Sequence, residues 1–246
     1  MALIHSFEKS GNQLFRYRGQ IPLFIFITAI PVIFLTDYKI FNDLFYLILT
    51  LISVFVGFTG FFIRAYTIGT TPKGTSGRNT KEQVAESINT KGIYSVVRHP
   101  LYVGNYLMWL GLLIFTFNVY YVLIISLFFW IYYERIMFAE ERFLQKKYGD
   151  VFMCWSEKVP AFIPALGKFE KSDIRVSVKS VLRREYSGIL AMAVGYFFID
   201  HLRNYVTYHQ FEPFRISTWV LSAAIILVLV LRTLKHRGIL DESGRS

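Results

Sequence analysis

The sequence has one cysteine and few charged side chains. Cys154 stands alone among 246 residues, so an internal disulfide is excluded and there is no cysteine cluster to hold a metal ion. Charged residues make up only 18% of the chain, whereas hydrophobic residues make up 54% and aromatic residues 18%. These proportions are too apolar for an ordinary soluble domain and predict a membrane-embedded protein.

Acidic residues are scarce relative to basic ones. The chain has 17 Asp and Glu against 27 Lys and Arg, which gives a formal net charge of +10. In a soluble protein this excess would suggest nucleic-acid binding, but here the basic residues lie between apolar segments. We interpret them as topology signals and contacts to anionic lipid headgroups. The lipid bilayer is therefore an expected partner, and nucleic acid is not.

Six apolar segments predict the fold class: an all-α integral membrane protein, a bundle of about six transmembrane helices. The segments are residues 21–36, 44–63, 101–117, 119–137, 188–199 and 217–231. The fifth is short for a span, and Pro22 and Pro31 predict a kink in the first. We expect a single membrane domain, 1–246. It divides into an N-terminal helical pair (1–66), a core (67–164) and a C-terminal extension with one or two further spans (165–246).

The polar connections predict orientation. Lys and Arg are concentrated in residues 2–19, 67–98 and 134–184, whereas residues 37–43 contain only Lys39. By the positive-inside rule, six spans would place both termini and the polar clusters on the cytoplasmic side. We expect a bacterial inner membrane. Within the second polar region, residues 71–77 predict a turn and residues 81–87 a short interfacial helix.

The start of the third apolar segment is a candidate ligand site. Pro100 has a fixed φ and no N–H, so it fits the first turn of the following helix and leaves Arg98 and His99 at its mouth. A helix N-terminus has unpaired N–H groups and suits an anionic group of a ligand. The alternative is that His-Pro is only a helix start signal beside an interfacial arginine.

A short turn at Asn118 predicts an antiparallel hairpin of the third and fourth segments. The hairpin would bring two polar clusters that are distant in sequence to the same membrane face. These are Arg98, His99 and Tyr102 in one cluster, and Arg135, Glu140 and Glu141 in the other. The alternative for the second cluster is an ordinary charged helix end. Residues 143–164 are amphipathic and aromatic and are expected to form a flap over the site at the membrane interface.

Four motifs in this region resemble the C-terminal half of isoprenylcysteine carboxyl methyltransferases and related phospholipid methyltransferases. They are Gly-Ile-Tyr at 92–94, Arg-His-Pro-Leu-Tyr-Val-Gly at 98–104, Glu-Glu-x-x-Leu at 140–144 followed by Tyr-Gly at 148–149, and Val-Pro at 159–160 followed by Ile-Pro at 163–164. Their shared order and spacing make the resemblance far more specific than Arg-His-Pro alone.

The resemblance implies an integral membrane enzyme that uses S-adenosylmethionine, with its cofactor site on the helical hairpin at the cytoplasmic interface. It assigns the cofactor contacts to Tyr94, His99, Pro100, Leu101, Tyr102 and Glu140. It links Arg135 to the acceptor group, and we assign Glu141 a catalytic role beside it. No metal ion is implied.

The chain departs from prenylcysteine enzymes after the Val-Pro segment. It continues through residues 165–246, and residues 168–184 are strongly basic. We therefore expect a membrane-embedded lipid acceptor with an anionic headgroup, such as lipid A phosphate. Methylation of a prenylcysteine carboxylate or of a phospholipid amine remains open.

Two other classes of protein remain open as well. Sterol-type reductases, which use NADPH, resemble the same hairpin, including Arg-His-Pro-x-Tyr and the Lys-Tyr-Gly of 147–149. They carry Arg-Asp where this chain has Glu140 and Glu141. A transporter or scaffold ranks lower, because no series of charged residues lies in the middle of a span.

Overall fold

The regular secondary structure of the described residues is helical. The computed structural model describes residues 2–72 and 85–244, in which one isolated bridge, between Gly92 and Glu170, is the exception. The α-helices are α1 (Ala2–Tyr17), α2 (Ile21–Leu35), α3 (Asp43–Gly69), α4 (Pro100–Ile114), α5 (Val119–Tyr148), α6 (Asp150–Ser156), α7 (Val178–Tyr208) and α8 (Ile216–His236). The turn and short helix expected within 71–77 and 81–87 fall mostly outside the described residues.

All six apolar segments form helices, so the helical membrane fold is confirmed. By length and composition, α3, α5 and α8 could each cross a membrane, while α2 and α4 are shorter apolar helices. Only 17% of the apolar window of α3 and 11% of that of α8 is buried inside the protein. Many of their other apolar side chains are exposed on the outside of the bundle, such as Leu47, Phe55 and Phe62 on α3, as expected for helices that face lipid. The count of six spans stays a prediction.

The reversal between α4 and α5 lies at Asn118, as the sequence indicates. Pro100 occupies the first turn of α4, with His99 as the residue that precedes the helix. Phe117 takes a left-handed conformation (φ 59°), and Asn118 then caps α5 by accepting a hydrogen bond from the Tyr121 N–H at 2.9 Å. The Asn118 amide also donates to Thr36 Oγ1 at 2.9 Å, which ties the turn to the end of α2.

Glycines allow α3 and α4 to pack in direct backbone contact. A Cβ at Gly104 would lie 2.8 Å from the Gly60 carbonyl oxygen, and one at Gly111 would lie 2.7 Å from the Ser53 carbonyl oxygen. Both distances are too short for a real Cβ, so glycine is required at these two positions. The close packing fixes α4 against α3.

Helices α5 and α7 extend furthest beyond their apolar segments. Helix α5 continues to Tyr148 beyond the apolar segment. Its charged residues after position 137 are solvated or paired, so they can extend the helix past the apolar part. Gly149 then ends the helix with φ 51°, a conformation that favours glycine, and α6 follows at once.

The fifth segment, 188–199, is the middle of α7, a helix of 31 residues. The apolar pattern is short because α7 also buries polar side chains on both sides of the segment, among them Glu185, Asp200 and Arg203. These polar residues interrupt the apolar run in the sequence, although their partners lie inside the bundle and the helix continues through them.

Candidate active site

The residues after α6 lie across the start of α4. The backbone N–H groups of Arg98 and His99 donate to the carbonyls of Pro160 (2.9 Å) and Ala161 (3.1 Å). The Ala165 N–H donates to the Val96 carbonyl at 2.9 Å. The segment expected as a flap is therefore hydrogen-bonded to the mouth of α4.

Glu141 on α5 joins the two residues at this mouth. Arg98 binds its carboxylate with two nitrogens, Nε to Oε1 at 2.8 Å and Nη2 to Oε2 at 3.2 Å. His99 Nε2 lies 2.9 Å from Oε1 of the same group. A further Arg98 nitrogen donates to the carbonyl of Val159 at 2.8 Å and to that of Ser156. Arg98 thus links α4, α5 and the flap.

Glu140 has fewer partners than Glu141. The Tyr102 hydroxyl donates to its Oε1 at 2.7 Å, and His99 Nδ1 lies 3.4 Å from its Oε2. The side chain of Glu140 is 25% exposed, whereas that of His99 is 6% exposed. Since one oxygen of Glu140 has only a long contact, Glu140 keeps acceptor capacity for a further donor.

Aromatic rings form the wall beside these acids. The Tyr102 ring stacks near the His99 ring, with centroids 5.7 Å apart, and it contacts the Tyr133 ring at 4.9 Å. Tyr133 stacks on Phe129 at 4.1 Å. The wall continues the buried aromatic core between α4 and α5.

The acids change the protonation of the histidine. Burial by itself lowers the pKa of the His99 imidazole, because it disfavours the charged form. Hydrogen bonds and charges from Glu140 and Glu141 outweigh burial, so the pKa of His99 is raised above its ordinary value. The cluster therefore favours an imidazolium between two carboxylates.

The other residues assigned from the sequence have different positions. Tyr94 lies in a short 3-10 turn before α4, where its carbonyl accepts a hydrogen bond from Trp155 Nε1 at 3.2 Å. Pro100 is buried and Leu101 is half-buried in the first turn of α4. Among the described residues, no hydrogen bond joins these three to either acid, but Tyr94 lies close enough to Glu140 to interact with it electrostatically.

Arg135 faces α1 instead of the acids. Its guanidinium lies over the Phe7 ring, 3.2 Å from the centroid. Its Nη1 is buried and has no hydrogen-bond partner among the described residues. The role of Arg135 in binding the acceptor stays a prediction. The unpaired Nη1 is the donor that an acceptor group could use.

Sequence reasoning missed two contributions to the cluster. Arg98 was assigned only to the helix mouth, although it is the residue that holds Glu141. Tyr133 was not assigned, although it lies seven residues, about two helical turns, before Glu140 and so on the same side of α5. That spacing was the available signal for Tyr133.

A separate cavity of about 980 Å³ lies beside α6. Its lining residues come from α6 and the segments beside it and include Ser95, Asp150, Cys154, Trp155, Lys158 and Glu170. None of the acids of the cluster lines it, so this cavity and the cluster are distinct places.

Comparison with known proteins identifies the region that contains the cluster. Residues 45–151 match the family model of phospholipid methyltransferases. The match covers less than half of the chain and supports the phospholipid methyltransferase superfamily for this region. The methyltransferase region thus includes α3, α4, α5 and all residues of the acidic and histidine cluster, and the resemblance drawn from the motifs is confirmed.

Three curated relatives match parts of the chain. Protein-S-isoprenylcysteine O-methyltransferase of Schizosaccharomyces pombe is 36% identical over 77 residues, which are 31% of this chain and 33% of the relative. The nickel-cobalt-cadmium resistance protein NccN of Alcaligenes xylosoxydans xylosoxydans is 34% identical over 94 residues, 38% of this chain and 41% of the relative. The cobalt-zinc-cadmium resistance protein CzcN of Cupriavidus metallidurans is 36% identical over 95 residues, 38% of this chain and 44% of the relative.

These similarities are local. The chain matches between a third and less than half of the length of each relative. No solved structure gives a significant match. The comparisons support a methyltransferase and give no support to the reductase alternative.

The raised pKa of His99 predicts a pH dependence of stability. A histidine whose pKa is higher in the folded state stabilises the protein fully below its ordinary pKa of about 6.5, and this stabilisation is lost as pH rises through the folded-state pKa. We expect the melting temperature of wild type to exceed that of His99→Gln at acidic pH and the difference to shrink on the alkaline side. Thermal unfolding of both proteins in detergent across a pH series measures it. Parallel curves at all pH values would contradict the prediction.

Proposed function

We propose that this chain is an integral membrane methyltransferase that moves a methyl group from S-adenosylmethionine to a membrane-embedded lipid with an anionic headgroup. The anionic group that accepts the methyl group is a phosphate, such as that of lipid A, or a carboxylate. The observation that carries the proposal is the cluster of His99, Tyr102, Glu140 and Glu141, because it joins the ends of α4 and α5 inside the methyltransferase region. The enzyme would lie in a bacterial inner membrane with this cluster on the cytoplasmic side.

The residues present fit the charges of the cofactor. S-adenosylmethionine carries an ammonium group, and the free capacity of Glu140 suits such a donor. Tyr94, His99, Pro100, Leu101 and Tyr102 would form the rest of the cofactor site around the mouth of α4. When bound, the cofactor supplies an activated methyl group.

Glu141 is less suited than Glu140 to bind the cofactor directly. Its carboxylate already accepts from Arg98 and lies beside His99. We infer that Glu141 sets the position of Arg98 and His99, and that its catalytic contribution is to hold the mouth of α4 at the reacting groups.

An anionic acceptor fits this site better than an amine. An anion needs no base before it attacks a methyl group, so catalysis is mainly positioning and exclusion of water. An amine must first lose a proton to a base. His99 contacts carboxylates through both ring nitrogens and Glu141 is paired with Arg98, so neither is a free base.

Arg135 is the proposed contact for the acceptor. Its buried Nη1 has no hydrogen-bond partner in the described part of the chain, and an unpaired buried donor costs free energy. A phosphate or carboxylate oxygen would pair with it. A guanidinium is well matched to either group.

Labelling of membranes tests the proposal. Membranes containing wild type or Glu140→Gln are incubated with S-adenosylmethionine labelled in its methyl group, and lipid and protein fractions are then separated. We expect label in the lipid fraction of wild type that resists mild base, and mass spectrometry of the labelled lipid should show a methyl phosphate ester and not an N-methylated amine, which resists mild base as well. Label that mild base releases would indicate a carboxylate acceptor. Label found only on protein, or equal label in both membranes, would contradict a lipid methyltransferase centred on Glu140.

Two variants separate cofactor binding from acceptor binding. Glu140→Gln removes a charge-assisted contact of roughly 1.5–3 kcal/mol, so we expect a roughly 10- to 100-fold weaker affinity for S-adenosylmethionine. Arg135→Ala should reduce turnover more than cofactor affinity. Glu134→Gln is the matched control, because Glu134 is on the same helix and exposed. Calorimetry and initial rates measure both effects, and unchanged values in both variants would remove this assignment of the site.

A further inference from the structure

A buried ion pair connects the C-terminal extension with the methyltransferase region. Arg64 on α3 binds Glu185 on α7 with two nitrogens, Nε to Oε2 at 2.9 Å and Nη2 to Oε1 at 2.6 Å. The side chain of Glu185 is 2% exposed and that of Arg64 is 19% exposed. Glu185 lies outside residues 45–151, so the partner of Arg64 comes from outside the region that matches the family.

The third nitrogen of Arg64 reaches the helix that carries the candidate site. Arg64 Nη1 donates to Asn105 Oδ1 on α4 at 2.6 Å. To reach it, the arginine crosses α4 at Gly104, where a Cβ would lie 2.5 Å from Arg64 Cγ. An arginine at the end of a span commonly extends into the water interface. Here it points into the bundle instead.

Asn105 continues this chain of contacts to the aromatic wall. The Asn105 side chain lies close enough to the Tyr133 hydroxyl to interact with it, and the Tyr133 ring contacts that of Tyr102 at 4.9 Å. Tyr102 in turn donates to Glu140 at 2.7 Å. A path of direct contacts thus runs from Glu185 to the acid proposed to bind the cofactor.

We propose that Glu185 is a positioning residue for the active site and acts through Arg64 and Asn105 on Tyr133 and Tyr102. The C-terminal extension then supports the catalytic centre without contributing a group that touches the cofactor or the acceptor. Glu185 neutralises Arg64 and fixes the direction of its guanidinium, so that Nη1 holds Asn105 in one orientation. The inference rests on the proposed function, since it names a residue that supports the same site.

The same helix supplies a matched control. At the other end of α7, Asp200 binds Arg215 in a similar two-nitrogen geometry, Nε to Oδ2 and Nη2 to Oδ1, both at 2.9 Å. The Asp200 side chain is 11% exposed, so it is also largely buried. Among the described residues, neither member of this pair makes a direct hydrogen bond or ion pair with Tyr102 or Tyr133.

The test compares Glu185→Gln, Glu185→Asp and Asp200→Asn in the full chain, purified in detergent. Each amide variant removes the charge of one buried acid on α7 and lowers the melting temperature. Misplaced reacting groups cost a large factor in rate, so for Glu185→Gln we expect kcat/KM for S-adenosylmethionine, with lipid A in mixed micelles as the acceptor, to fall about 10- to 100-fold per folded protein. Glu185→Asp, which keeps the charge, should retain an intermediate value, and Asp200→Asn should keep kcat and KM.

A second measurement does not depend on turnover. The titration of His99 is followed by NMR in protein with labelled histidine, and its signal among the five histidines is assigned by its loss in His99→Gln. Glu185→Gln should lower the midpoint of this titration. When Tyr102 no longer holds Glu140 in place, this carboxylate moves away from His99 and stabilises the imidazolium less. Asp200→Asn should leave the midpoint unchanged.

The outcomes distinguish this inference from the proposed function. Wild type that neither binds nor turns over S-adenosylmethionine would overturn the proposed function, and the His99 titration would still decide the role of Glu185. Equal losses in Glu185→Gln and Asp200→Asn, or an unchanged titration and unchanged kinetics in Glu185→Gln, would show that the ion pair only stabilises the fold.

Discussion

The contact of Glu141 with Arg98 and His99 is the constraint on which the candidate site depends. It joins the end of α5 to the start of α4, 42 and 43 residues apart in sequence. Arg98 also holds the flap through two carbonyls, so one guanidinium fixes three segments at once. With this contact in place, Glu140 and Tyr102 come within hydrogen-bond distance and the aromatic wall closes beside them. Without it, the mouth of α4 would be an ordinary helix start.

The hairpin and the glycine contacts explain why this constraint can hold in a membrane. The reversal at Asn118 sets the register of α4 against α5, and the contacts at Gly104 and Gly111 fix α4 against α3. Buried charges are costly in such an environment and persist where they are paired. In the candidate site the acids have cationic or hydroxyl partners, which makes a charged cluster compatible with an apolar bundle.

Local signals in the sequence predicted much of this arrangement. Pro100 indicated the start of α4, Asn118 the reversal, and the six apolar segments the helices, because each depends on residues close together in the chain. Arg64 and Glu185 are 121 residues apart, and their pairing depends on how α7 packs against α3, which no local pattern reports. Arg135 could be placed on α5 from the sequence. Its contact with Phe7 could not be predicted, because this contact depends on how α1 packs against α5.

The most direct test of the central claim is a cryo-electron microscopy map of the full chain with S-adenosylhomocysteine, the demethylated product of the proposed cofactor. The account predicts density for one nucleoside-sized ligand in contact with both Tyr102 on α4 and Glu140 on α5, with Glu141 still bound to Arg98. Density in the cavity beside Trp155 and Lys158 instead, with none between α4 and α5, would contradict it.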